Sequence, residues 1–265
     1  CLTFEIQRSR MKFQTPLCTI LILLMTASCG LFRSEDIEPI PGTVRLETAL
    51  QWNGENYAVG NVTADAFGHP FRLDNLQLYM APVEFRSEDG EWVSSDDVFL
   101  IDYGEHGKNL VLPLPAGAYS AVRFGLGIPP EINTDIDPAS YPNDHPLSVL
   151  GSAGMFWTWS SGYIFVKYEG KFALESGQQL IEPFSYHCGT DASYRMVTLE
   201  LDNLLNIQSH EVTAASLKLD AAMALMSEND SINVEFDPVT HNAGGDSLGG
   251  RMMDFLVHAW SIEIL

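Results

Sequence analysis

The chain has 265 residues, of which 46% are hydrophobic and 18% charged. That apolar content supports a sizeable core, in one large domain or two small ones, and excludes a disordered protein. With 35 acidic residues against 14 basic and a net charge of −21, the chain lacks the Lys and Arg needed to hold a phosphate backbone, so nucleic acid is not an expected partner.

The first element reads as a leader. Lys12 precedes an apolar run over residues 17–25, shorter than the roughly 20 residues that a spanning helix needs. Small residues follow at Thr26, Ala27 and Ser28, and then Cys29. This is the layout of a secretory signal. A Cys directly after small residues resembles the bacterial lipobox, in which that Cys is lipidated and becomes the mature N-terminus. Residues 1–10 precede Met11 and read as lying upstream of the true start. The expected organisation is a signal peptide over 1–28, a lipidated Cys29 opening an acidic tether over 29–41, and one domain over 42–265. The expected location is the cell envelope, as an outer-membrane lipoprotein held by its lipid and facing the periplasm or the cell surface. Loss of Glu5, Arg8, Arg10 and Lys12 with the leader takes the net charge to −23. Cys188 is then the one thiol left without lipid, so no intramolecular disulfide is expected.

Strand patterns begin at residue 44. Val44, Leu46, Thr48, Leu50 and Trp52 alternate with polar residues, and Asn53-Gly54 signals a turn. Residues 73–85 are extended, with Pro82 as a break or edge marker. Asp89-Gly90 suggests a hairpin into Trp92. Strands follow at 98–103, 110–114 and 119–126, the last two joined by Pro115-Ala116-Gly117. Further strands are expected at 163–168, 196–201 and 212–219. Residues 129–150 form a long loop, and long loops in compact domains tend to carry function. Residues 214–226 and 248–260 each have the composition for a short helix. The expected fold is all-β: an antiparallel β-sandwich with long loops and one or two short helices.

The densest chemistry lies at 154–170, G-M-F-W-T-W-S-S-G-Y-I-F-V-K-Y-E-G. Composition alone reads its aromatics as filling for the sandwich core. The ordered motif M-F-W-x-W-x-x-G-Y-x-F-x-K-x-E-G from Met155 to Gly170 resembles the family of MbnP-like domains, named for a methanobactin-associated copper-binding protein. Supporting pieces are Leu114-Pro-Ala-Gly-Ala-Tyr119, Phe124-Gly-Leu-Gly127, Leu73-x-x-Leu-x-Leu-Tyr79 and His187-Cys-Gly189. The resemblance implies a periplasmic or surface β-sandwich that handles copper. It further implies that a Trp is oxidised to kynurenine by a partner di-haem enzyme of the MbnH type, and that this residue joins His in holding copper.

Elementary chemistry agrees with that division of labour. Copper(I) favours thiolate, thioether and imidazole donors. An indole offers an N–H and no lone pair, whereas kynurenine exposes an amine and a carbonyl. The candidate copper residues are His187, Trp157, Trp159 and Met155, with the choice between the two tryptophans open. Cys188 should point to the face opposite His187 by strand alternation. The remaining histidines show no H-x-H or H-x₃-H spacing. No G-x-S-x-G, H-E-x-x-H or C-x-x-C occurs, and no catalytic role is expected. The competing expectation is a non-metal surface module that binds a glycan or protein partner through exposed aromatics such as Trp52, Trp92 or Trp159.

Overall fold

The computed structural model describes residues 40–95, 97–105, 109–133, 137–158, 162–242 and 247–265. The expected signal peptide, Cys29, residues 30–39 of the expected tether and Trp159 lie outside the described residues. In chain order the strands are β1 Gly42–Trp52, β2 Glu55–Asn56, β3 Val62–Ala64, β4 Pro70–Ser87, β5 Trp92–Ser95, β6 Phe99–Asp102, β7 Asn109–Leu114 and β8 Gly117–Leu126. The short helix α1, Pro130–Asn133, is followed by β9 Phe156–Thr158, β10 Gly162–Phe172, β11 Glu182–Gly189, β12 Arg195–Ile207, β13 Val212–Asp220 and β14 Val239–Asn242. Helix α2, Ser247–Leu256, and β15, Trp260–Ile264, complete the series.

Two sheets face each other. The smaller runs β15-β13-β1-β2, with β7 on the other edge of β1; the larger runs β12-β8-β4-β10-β11-β14. Most pairs are antiparallel, as expected. Two are parallel: β1 with β13 and β11 with β14. Alternation is the same for either pairing sense, so the residue pattern does not encode this difference.

The inner faces form the main core. Val44, Leu46, Leu112 and Leu217 from the small sheet meet Leu76, Leu78, Val122, Tyr168 and Tyr186 from the large one. The Tyr168 hydroxyl donates to the Ala221 carbonyl at 3.0 Å within this core. Helix α2 closes one side with Met252, Met253 and Leu256. The strands at 110–114 and 119–126 occur as read, but they do not pair with each other. β7 joins the small sheet and β8 the large one, so Pro115-Ala116 carries the chain between layers. The helix expected at 214–226 is instead β13 with a single 3₁₀ turn at Ala221–Ala224, because Ala215, Leu217 and Leu219 bury with period two.

β4 organises the large sheet. Its first part pairs with β10 and its second with β8, and the register shifts between Met80 and Val83, where Pro82 sits. A Pro is tolerated at such a bulge because the ladder there requires no N–H.

Candidate metal centre on the outer face of the large sheet

The long loop and the aromatic motif fold back over the outer face of the large sheet. They form a second, separate core of Tyr79, Ala81, Val98, Leu100, Ile128, Leu147, Met155, Tyr163, Ile164 and Phe165. Two buried tyrosines tie the loop down. Tyr79 donates to the Pro146 carbonyl at 2.7 Å, and Tyr163 donates to the Leu147 carbonyl. Their rings meet edge to face at 5.6 Å. A loop of this length needs such anchors, because buried carbonyls without donors are costly. The motif's aromatics therefore do not simply fill the sandwich: Tyr168 faces the main core, while Tyr163 and Phe165 build the second one.

At the border of this second core Trp157 is half-buried. A Cβ placed on Gly189 would lie 2.7 Å from Trp157 Cζ3 and 3.1 Å from Cη2. The indole edge therefore rests on the Gly189 backbone, and glycine is needed there for the close approach. A Cβ on Gly170, which closes the motif, would lie 2.0 Å from the Arg72 carbonyl oxygen and 2.5 Å from the Phe184 ring. Both glycines are thus explained by backbone crowding.

His187 lies two residues before Gly189 on the same face of β11, about 7 Å back along the strand. Alternation on β11 is clear: Phe184, Tyr186 and Cys188 are buried toward the main core, while Ser185 and His187 face outward. Cys188 is a buried thiol whose sulfur lies 4.0 Å from Met252 Sδ, on the face opposite His187.

The His187 side chain is 14% exposed, and its Nε2 lies 2.7 Å from Glu169 Oε1. Asn75 Nδ2 donates to the other carboxylate oxygen at 3.0 Å. The hydrogen bond from His187 holds the Glu169 carboxyl at a pKa of about 2, well below the ordinary value. Glu169 is therefore ionised at neutral pH, and its Oε1 accepts a hydrogen bond from His187 Nε2–H, which orients the ring. Lys167, paired across the ladder with His187, donates from Nζ to the Gly154 carbonyl at 3.1 Å and clasps the turn that leads into the motif.

With this geometry established, the comparisons become informative. The family model for MbnP matches residues 41–242, most of the chain. The chain belongs to the MbnP family. Among solved structures, MbnP from Methylosinus trichosporium aligns with a TM-score of 0.56 at 16% identity, covering 84% of this chain and 99% of that one. At that identity the likeness establishes the shared fold. A comparison with curated proteins gives no significant match.

The MbnP-family domain brings together some of the expected site residues and not others. Trp157 and His187 share the outer face. Trp159 lies outside the described residues. Met155 is fully buried in the second core, in the same cluster as Tyr79, Leu147 and Tyr163. Among the described residues, no three or more His, Cys, Asp and Glu side chains are gathered in a metal-holding arrangement. The donor set fits copper in one respect: an imidazole oriented by a carboxylate is a sound copper ligand. The unmodified indole beside it adds no lone pair.

Glu169, one residue before the glycine that closes the motif, is the site residue that the sequence does not single out. Its signal is a lone carboxylate in an otherwise aromatic run. A groove of about 610 Å³ lined by Pro82, Arg123, Pro130 and Tyr194 includes none of the expected site residues. Of the aromatics put forward for glycan stacking, Trp52 is buried and donates from Nε1 to the Ala64 carbonyl, and Trp92 carries the Arg123 guanidinium 4.1 Å from its ring centroid. Trp52 is therefore not an exposed aromatic of the kind expected.

Proposed function

We propose that this protein is an exported, lipid-anchored copper-handling module of the cell envelope, a binding protein and not an enzyme. In this reading Trp157 is the residue oxidised to kynurenine by a di-haem partner enzyme, and His187 is the imidazole that joins it. Ring opening replaces an indole without lone pairs by an amine and a carbonyl that can bind metal. Glu169 orients the imidazole, and the second core holds residue 157 at the surface.

The observation that carries the reading is the position of Trp157. Its half-buried indole sits over Gly189, beside the face that presents His187, and not in the dry interior of the sandwich. The test pairs two measurements. Peptide mass spectrometry on protein from the native host should find kynurenine at position 157. Competition titration with a Cu(I) chelator should show tighter binding by the wild type than by His187→Ala. Unmodified Trp157 together with equal affinities would reject the reading.

A further inference from the structure

A buried imidazole that the copper reading does not use sits at the far end of β10. His69 packs on Phe172, the last residue of that strand, whereas β9 with Trp157 pairs with its first residues. His69 lies in the turn that joins β3 to β4, and Asp65 builds that turn. Asp65 Oδ1 accepts the backbone N–H of Phe67 at 2.9 Å and that of His69 at 2.8 Å, while Oδ2 lies 2.9 Å from His69 Nδ1. The Asp65 side chain is 3% exposed and that of His69 11%. A carboxylate only accepts, so Nδ1 is the donor of that contact and keeps its proton whether the ring is charged or neutral. Titration of the ring therefore changes Nε2 alone.

Nε2 faces a second carboxylate. Glu235 Oε2 stands 3.7 Å away, on the turn that leads into β14. With a proton on Nε2, a positive N–H points at the carboxylate and the two turns attract. Without it, a lone pair faces the carboxylate and the same contact becomes repulsive. Imidazole is the side chain that ordinarily changes charge between pH 5 and 8. The other groups against this cluster carry no charge in that range. The Phe67 and Phe172 rings lie 6.3 and 5.8 Å from the imidazole. Tyr168 and Tyr186 lie in the field of Asp65, and burial pushes both phenols up, so they stay neutral.

We propose that His69 is a pH-operated clasp between the β3–β4 turn and the turn before β14, closed when the imidazole is protonated and released when it is neutral. The second turn is built to respond. Ile232 and Val234 anchor its start in the main core, but Glu235, Phe236 and Asp237 are exposed. Phe236 and Asp237 donate their N–H groups to the Asn233 carbonyl at 3.1 and 2.9 Å. Beyond them the Asp237 carbonyl accepts from the Tyr186 hydroxyl at 2.6 Å, and the Pro238 carbonyl from Ser185 N–H at 2.8 Å, where β14 begins beside β11. Mild acid fastens this edge of the large sheet, and mild alkali loosens it. Local opening of this kind needs few contacts to be lost.

The test is amide hydrogen exchange on the full chain, across the pH range in which imidazole titrates, for wild type, Glu235→Gln and His69→Gln. EDTA is present throughout, so that no metal bridges the pair. Rates are expressed as protection factors, which removes the intrinsic pH dependence of exchange. An NMR titration of the His69 ring protons in the same samples gives the midpoint of the switch. In the wild type, Phe236 and Asp237 should lose about twofold to fivefold in protection as pH rises through that midpoint, the scale of a partly exposed ion pair. Both variants should give flat profiles. Glu235→Gln exchanges one atom on a part-exposed side chain and carries the test on its own where His69→Gln does not fold. A flat wild-type profile, a midpoint away from that of His69, or the wild-type pH dependence retained in Glu235→Gln would each overturn the clasp.

Discussion

Replacing Gly189 by Ala tests whether the indole of Trp157 depends on a bare backbone beneath it. The added Cβ would lie 2.5 Å from the Tyr163 carbonyl oxygen, 2.7 Å from Trp157 Cζ3 and 3.1 Å from Cη2. The first two contacts are shorter than any real methyl contact, so something must shift. The indole is half-buried at the edge of the second core and can swing outward. The Tyr163 oxygen belongs to the backbone of β10 and can yield only if β10 and β11 separate locally. Overpacking of this kind costs about 1–3 kcal/mol, and the rigid backbone contact puts Gly189→Ala toward the upper half of that range. Urea unfolding gives the stability, and a difference spectrum against Trp157→Phe isolates the emission of this one indole. A double-mutant cycle with Trp157→Ala divides the loss between the two contacts. Partial recovery in the double variant identifies the indole's share, and the remainder belongs to the backbone oxygen. Wild-type stability in Gly189→Ala, with unchanged Trp157 emission, would refute the packing described for the site.

Three further outcomes follow from the same structure. Tyr163→Phe removes the donor to the Leu147 carbonyl; it should cost about 1 kcal/mol or more and raise hydrogen exchange over residues 138–150 before the rest of the domain. Gly250→Ala, in α2 with open space around the new methyl, should stabilise by roughly 0.5–1 kcal/mol, read as a rise in urea midpoint without a change in slope. Glu169 has its pKa depressed to about 2, so its contribution is present above its ordinary pKa and is lost as pH falls through the range down to about 2. The stability gap between wild type and Glu169→Gln should therefore narrow on acidification, and a gap that widens would contradict the sign.

Much of the sandwich was legible because period-two alternation reports burial directly. Val44, Leu46, Leu50 and Trp52 are buried as read, and Asn53-Gly54 and Asp89-Gly90 turn the chain where expected. Sheet membership was not legible. β7 and β8 are separated by a tight connection, yet they belong to different layers, because a local pattern says which face is apolar and not which partner lies beside it. At residues 214–220, alanine and leucine suit either helix or strand, and tertiary packing against β1 decided for strand. The opposite facing of His187 and Cys188 on β11 followed from alternation; the nearness of Trp157 to that strand did not, since it depends on the pairing of β9 and β11 with β10. Nor did the burial of Met155, since nothing local distinguishes a buried thioether from an exposed one.

The copper account meets its most direct test in the Cu(I) affinity of the chain before and after conversion of residue 157 by the proposed di-haem enzyme. Protein co-produced with that enzyme should carry kynurenine at position 157 and hold Cu(I) more tightly than protein made without it. Trp157→Phe should show no gain from co-production. Equal affinity in all three preparations, with full conversion verified by mass spectrometry, would contradict the claim that residue 157 and His187 form a copper site.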